Sequence, residues 1–224
     1  MARLVLAIVV LACLALPGGA SAGVLSTDEG GYGEENVTFE VGNGPPSVIV
    51  ARSLAGGELE LSDRSAAIAL GDPDSPIGCR RHGRHIAICR LPSFPYVQVT
   101  IRGGAHNDVI DARRLLAEGV TLEGGKGNDT LLAPRHASVS WSQVTLVGGQ
   151  GHNVIVGGPR SVVSYAEARG PVRVDLARKV GLARGERDHV VDVASVTGSA
   201  NSYNFLTGST AGVKSGAAKR ATTS

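Results

Sequence analysis

The chain has 224 residues, enough for one well-filled domain or two small ones, with 22 Lys+Arg against 20 Asp+Glu and a formal net charge of +2. That balance argues against a protein loaded with calcium sites, which would be markedly acidic because carboxylates are the preferred ligands. Four Tyr, three Phe and one Trp are too few for the stacking platforms of a nucleic-acid- or sugar-binding surface.

Met1-Ala2-Arg3 leads into an unbroken apolar run from Leu4 to Leu16, followed by Pro17, two glycines and Ala20-Ser21-Ala22. A short basic start, an apolar centre and a small-x-small ending predict a secretory signal peptide over residues 1–22, cleaved after Ala22. The run falls short of the roughly 20 apolar residues a bilayer span requires. Cys13 admits a rival reading as a lipid-modified cysteine, opposed by the apolar residues that continue past it. No later segment is apolar for long enough to span a membrane. The mature protein, with 21 Lys+Arg against 20 Asp+Glu and a net charge of +1, is expected to be secreted and extracellular, free or associated with the cell surface.

Residues 37–63 alternate in strand fashion between Gly and Pro turns (VTFEVGNG, SVIVAR, GELELSD). They read as irregular N-terminal coils, or as a cap over the first exposed strand edge. Cys79 and Cys89 follow in GCRRHGRHIAIC. An even pair this close, in an exported chain, reads as a disulfide. The same segment spells Cys-x2-His-x2-His-x3-Cys, so zinc is the alternative, although zinc needs both thiolates free and four groups converging tetrahedrally. Arg80, Arg81, Arg84 and Arg90 crowd this loop with His82 and His85. They form either a solvated hairpin tip or a grip for an anionic cell-surface polymer.

VTIRGG begins at Val99, VTLEGG at Val120 and VTLVGG at Val144, at spacings of 21 and 24 residues. Each is a β-branched strand running into a Gly-Gly turn, and each turn leads to a second short apolar stretch: DVID at 108–111, DTLL at 129–132 and NVIV at 153–156. Strand, turn, strand and loop repeated in this way make one coil of a parallel β-solenoid, whose apolar face is buried only by stacking. The predicted fold is therefore all-β, a right-handed parallel β-solenoid of the β-roll or β-helix kind with an irregular N-terminal cap, filling one domain over residues 23–208. DARRLLAEG (111–119) fits either a turn or two of helix or the loop closing a coil. PVRVDL (171–176) and DHVVDVASV (188–196) are further strands, and residues 209–224 are an expected disordered tail. Asp175, Asp188 and Asp192 are the dense acidic group on predicted strands, read as structural or exposed carboxylates, with nothing placing a catalytic partner opposite them.

GGKGNDTLL (124–132) fits GGxGxDxUx, with U a large aliphatic residue, at every specified position, and resembles the haemolysin-type calcium-binding repeat of the repeats-in-toxin (RTX) family. GGAHNDVID (103–111) is similar, with His106 in place of the third glycine. GGQGHNVIV (148–156) keeps the glycines but has Asn153 for the aspartate, and GGPRSVVSY follows in register with Val162 there. Residues 164–209 resemble the segment that commonly follows such repeats, and the cysteine loop resembles an arrangement in secreted bacterial members. The resemblance implies weakly bound calcium between successive turns, held by Asp108 and Asp129 with carbonyls of the Gly103–Asn107 and Gly124–Asn128 segments, hence Gly104, Asn107, Gly125, Gly127 and Asn128. A poorer second site would pair Asp129 with Asn153. Unequal spacings leave open whether the turns superpose, His106 restricts a corner that prefers glycine, and Lys126 places a cation near the ion.

The expected function is that of a secreted, non-catalytic calcium-binding repeat protein, in which calcium supports fold and surface presentation. The chain is expected to be a monomer without a membrane span or a nucleic-acid partner. Two alternatives stand beside it: a carbohydrate-active β-helix enzyme, and an anionic-polymer binding module acting through the Arg/His disulfide loop.

Overall fold

The computed structural model describes residues 22–29, 35–71, 77–91, 96–136, 142–158, 160–183, 186–200 and 202–207. The predicted signal peptide, apart from Ala22, and the predicted tail lie outside the described residues. The described residues form β1 (Gly23–Glu29), β2 (Glu35–Glu40), β3 (Val48–Leu54), β4 (Glu58–Asp63), β5 (Ile68–Leu70), β6 (Cys79–Arg81), β7 (Ile86–Arg90), β8 (Val97–Gly104), β9 (Val109–Arg114) and β10 (Gly119–Lys126). They continue as β11 (Thr130–Leu132), β12 (Gln143–Gln150), β13 (Val154–Val156), β14 (Ser161–Ser164), β15 (Val172–Asp175), β16 (Val180–Ala183), β17 (Glu186–Val191), β18 (Ser195–Thr197) and β19 (Asn204–Thr207). No described residue is helical, and no helix there is long and apolar enough to cross a membrane. DARRLLAEG continues β9 and then turns through a Leu115 N–H to Ala112 carbonyl bond of 2.9 Å, closing a coil without a helix.

The strands lie in two mixed sheets, ordered β18-β14-β12-β10-β8-β2-β1-β5 and β19-β15-β16-β17-β13-β11-β9-β3-β4-β7-β6. Each repeat supplies one strand to each sheet. In the first sheet, β2, β8, β10, β12, β14 and β18 pair parallel in succession. In the second, β3, β9, β11, β13 and β17 do the same. Antiparallel strands flank both runs: β1 on β2, β4 on β3 with β7 and β6 beyond, and β16 and β15 beyond β17.

The alternation of side chains explains the packing. In β8, Val97, Val99 and Ile101 are buried while Gln98, Thr100 and Arg102 face outward, the period of two that a half-buried strand requires. Register then stacks like on like. Phe39 aligns with Ile101, Leu122, Leu146, Val163 and Val196 in the first sheet. Ile49 aligns with Ile110, Leu131, Ile155 and Val190 in the second. The two columns meet in one core cluster, where each such side chain contributes about 1.5–3 kcal/mol through removal from water.

Two expectations are refined. Residues 37–63 are only partly irregular, because β2 and β3 pair in parallel with β8 and β9 and only β4 turns back. The unequal spacings also leave the Gly turns aligned, since Gly104, Gly125 and Gly149 pair in register. The three extra residues of the longer repeat fall between Leu132 and Gln143, on the far side of the coil.

Candidate calcium site in a row of stacked turns

Ser47, Asp108, Asp129 and Asn153 each immediately precede a second-sheet strand of the parallel run, and Asp188, inside β17, holds the equivalent register position. The four Asx side chains are buried to within 5 % of full exclusion from solvent, and each accepts a backbone hydrogen bond from the coil before. The Ser47 N–H donates to Asp108 Oδ1 at 2.7 Å, Asp108 N–H to Asp129 Oδ1 at 2.8 Å, Asp129 N–H to Asn153 Oδ1 at 2.9 Å, and Asn153 N–H to Asp188 Oδ1 at 2.9 Å. The row ends in side chains at both extremes. Ser47 Oγ–H donates to Asp63 Oδ2 at 2.9 Å, and Tyr165 O–H to Asp188 Oδ2 at 2.8 Å.

Two oxygens in this row are orphans. Asp108 Oδ2 and Asp129 Oδ2 are buried and accept no well-formed hydrogen bond, although the Gly104 N–H stands close enough to lower the Asp108 carboxyl in part. Leaving a buried acceptor unsatisfied costs about 1–3 kcal/mol, more if charged. Both face the first glycine of their own turn, where the next turn's carbonyl also points. A Cβ on Gly103 would meet Asp108 Oδ2 at 3.0 Å and collide with the Gly124 carbonyl. One on Gly124 would collide with Asp129 Oδ2 and meet the Gly148 carbonyl at 2.5 Å. Carboxylate and carbonyl oxygens thus converge over bare glycine faces, and burial pushes the carboxyl of Asp129 up to about 6 and that of Asp108 above its ordinary value. Burial also raises Asp188 and the Tyr165 hydroxyl that donates to it.

Asn153 stands in the row but presents a different atom. Its Nδ2 donates to Asp188 Oδ1 at 2.9 Å, while its Oδ1 is taken by the Asp129 N–H. Flipping the amide would set donor against donor and acceptor against acceptor. The group facing Gly148 is therefore the Nδ2 amide, 2.7 Å from where its Cβ would be, and an amide N–H is no cation ligand. The Asn153 side-chain carbonyl oxygen expected to pair with Asp129 at a second site is the one engaged by the Asp129 N–H.

The other expected site residues lie where the turns stack. Gly125 and Gly127 have φ of 101° and 118°, and Gly149 and Gly151 repeat this at 89° and 114°, a region that favours glycine. The first turn contains no positive φ at Gly104 or His106, so His106 gives it a different backbone path. Asn107 and Asn128 are exposed and form an outer ladder: Asn128 N–H donates to Asn107 Oδ1 at 2.7 Å, and His152 N–H to Asn128 Oδ1 at 2.8 Å. Lys126 is exposed. No cluster of three or more His, Cys, Asp or Glu among the described residues could hold a metal, so a cation here would take mostly carbonyl oxygens, as calcium accepts.

Ser47 and Asp188 were not read from the sequence as members of this row. Their signal is the shared pattern of one small polar residue before a short apolar strand: SVIV and DHVV beside DVID, DTLL and NVIV. Val162, one nonapeptide on from Asn153, instead sits in first-sheet strand β14. Asp188 is buried and hydrogen-bonded within the row, whereas Asp192 lies past the end of β17 with φ of 55°. The Cys79–Cys89 disulfide joins directly paired residues of β6 and β7, which removes the thiolates a zinc site needs. His85 Nδ1 lies 3.0 and 2.8 Å from the carbonyls of Asp63 and Ala66, so this nitrogen carries a proton and donates.

An all-β chain whose glycine turns stack a row of buried Asx residues is the class of protein that this architecture defines. A sequence model of the RTX calcium-binding nonapeptide repeat matches residues 99–114, 121–133 and 145–159. The chain carries the repeats of that family, and such repeats bind calcium. No curated protein and no solved structure matches the chain.

Proposed function

We propose that this is a secreted, non-catalytic calcium-binding protein whose described residues form a right-handed β-roll-like solenoid, with calcium held between the turns that end in Asp108 and Asp129. The observation that carries this reading is the pair of orphaned carboxylate oxygens over bare glycines. Asp108 Oδ2 and Asp129 Oδ2 supply the charge, and carbonyls of the Gly103–Asn107 and Gly124–Asn128 segments supply the remaining oxygens. Calcium would neutralise carboxylates that burial otherwise disfavours in their charged form. Asn153 is the row's neutral hydrogen-bonding member, set between Asp129 and Asp188.

A structural role for the ion fits the placement of the acids. Asp108, Asp129 and Asp188 are buried and accept backbone N–H groups, Asp188 also the Asn153 amide and the Tyr165 hydroxyl. These three acids are therefore not set as the opposed, substrate-facing pair that glycoside hydrolysis needs. The groove that would suit the enzymatic alternative, about 540 Å³ over the outer face of the turns, is lined by Glu123, Glu167 and Glu186. Glu123 there binds Arg102 at 2.9 Å, and Lys126 and Arg169 stand beside the acids.

Calorimetric titration with calcium tests the assignment. The mature chain is expected to bind with a dissociation constant of about 10⁻⁴–10⁻³ M, the range of extracellular modules. Asp129→Ala and Asp108→Ala should each abolish binding, and Asn153→Ala should leave it within about threefold. Undiminished binding in Asp129→Ala would place the ion elsewhere.

A further inference from the structure

The outer face of the second sheet carries a groove of about 550 Å³, formed by β3, β4, β9 and the segment after β11. Five arginines line it: Arg52, Arg64, Arg113, Arg114 and Arg135. Two are fixed by bidentate pairs. Arg52 donates to both Glu60 oxygens at 2.8 Å, and Arg113 to the two Asp111 oxygens at 2.9 and 2.6 Å. Those pairs use both acids in the groove. Arg64, Arg114 and Arg135 are exposed and form no close ion pair among the described residues, although Arg135 stands near enough to Asp111 to help hold its carboxyl below the ordinary value. Arg52 and Arg114 are direct register partners on adjacent strands, and like charges opposite one another destabilise a sheet. The first sheet solves the same problem differently, since its outward column runs Glu40, Arg102, Glu123 in register with opposite charges adjacent.

We infer that this groove, formed by residues from three strands and a loop and carrying three surplus guanidinium groups, binds an acidic polysaccharide whose carboxylates are spaced along the chain. Guanidinium forks recognise carboxylates bidentately. Spaced charges can reach Arg64, Arg114 and Arg135 while passing Glu60 and Asp111. A continuous phosphate ribbon, with one charge per about 1.7 Å of duplex, would meet both acids. The groove has no aromatic lining, so unpaired bases have nothing to stack on. This site is distinct from the Arg/His hairpin tip, and from the glycine turns, which lie at the opposite end of β9 from Arg113 and Arg114.

The test is binding of hyaluronate oligosaccharides to the mature chain at 0.15 M salt and 1 mM calcium, with neutral dextran and duplex DNA alongside. Wild type should bind the uronate oligomer and not dextran. Arg64→Ser with Arg114→Ser should lower affinity by about tenfold or more, the value of a charge-assisted bidentate contact. Arg64→Lys with Arg114→Lys, which keeps charge but loses the fork, should lower it by about threefold. Arg173→Ser, on β15, should leave binding unchanged. The inference is overturned if wild type fails to bind the oligomer, if it binds duplex DNA more tightly, or if the serine pair binds as wild type does.

Discussion

Asp129 is where the chemistry of a single residue is sharpest. Its carboxyl is raised to about 6, first by burial and then by the charges of Asp108 and Asp188, against one lowering hydrogen bond from the Asp108 backbone. In chelator the folded chain therefore holds this proton more tightly than the unfolded chain does. Its contribution to stability is full below about pH 4 and is lost as pH rises through about 6. Urea unfolding at pH 4.5 and 7.5 without calcium should show this loss, and Asp129→Asn should flatten it. Because Asn153 already shows that a neutral amide suits the row, Asp129→Asn should also be more stable than wild type in chelator at pH 7.5, while gaining nothing from calcium. A second contrast concerns two glycines. Gly124→Ala would drive a methyl into Asp129 Oδ2 and the Gly148 carbonyl and should cost about 1–3 kcal/mol by overpacking. Gly56→Ala meets nothing within 4 Å but sits at φ of 81°, so only backbone strain acts and the loss should be about 1 kcal/mol. Equal losses in denaturant midpoints would contradict the crowding argument.

Among the elements, Leu122 in β10 is stacked between Ile101 and Leu146 and fully excluded from solvent. Leu122→Ala should cost about 2–5 kcal/mol by chemical denaturation, more than removal of the terminal-column Val196, whose β18 lies at the sheet edge. These columns were legible in advance because Val99, Val120 and Val144 head three copies of one strand-turn pattern. What hid the rest was insertion. Ser47 and Asp108 are neighbours in the row but 61 residues apart, with β4, β7 and β6 folded antiparallel between them and β5 added to the edge of the other sheet. Asn153 and Asp188 are 35 apart, and β14–β16 intervene. A period can be read only while it continues, so Asp108 and Asp129 could be assigned from sequence and Ser47 and Asp188 could not. The orientation of the Asn153 amide depends on Asp188, a partner 35 residues away that the repeat pattern does not reveal. The basic groove draws its arginines from β3, the residue after β4, β9 and the segment after β11, a convergence that only the sheet order creates.

For the whole molecule the question is whether calcium is needed for folding or only adds to it. Parallel columns run through both sheets from β2 and β3 to β17 and β18, and form one continuous core. The buried row is held by turn-to-turn hydrogen bonds made entirely by protein atoms. A stack with this much internal support should fold in chelator, unlike small metallo-domains whose metal-binding energy is their folding energy. Calcium should then act by mass action alone. With a dissociation constant near 10⁻⁴ M, 1 mM calcium adds about 1.4 kcal/mol, and each further tenfold adds about the same again. For a domain of this length that is a rise in melting temperature of about 3–6 °C at 1 mM. Scanning calorimetry in EGTA and at 1 and 10 mM calcium should show one cooperative transition throughout, moving upward in steps of similar size. A chain that is unfolded in EGTA would show that the two turns cannot close without the ion. A transition that stays put at 10 mM would mean that the orphaned oxygens of Asp108 and Asp129 are tolerated as protonated or hydrated groups and that the turns serve shape alone.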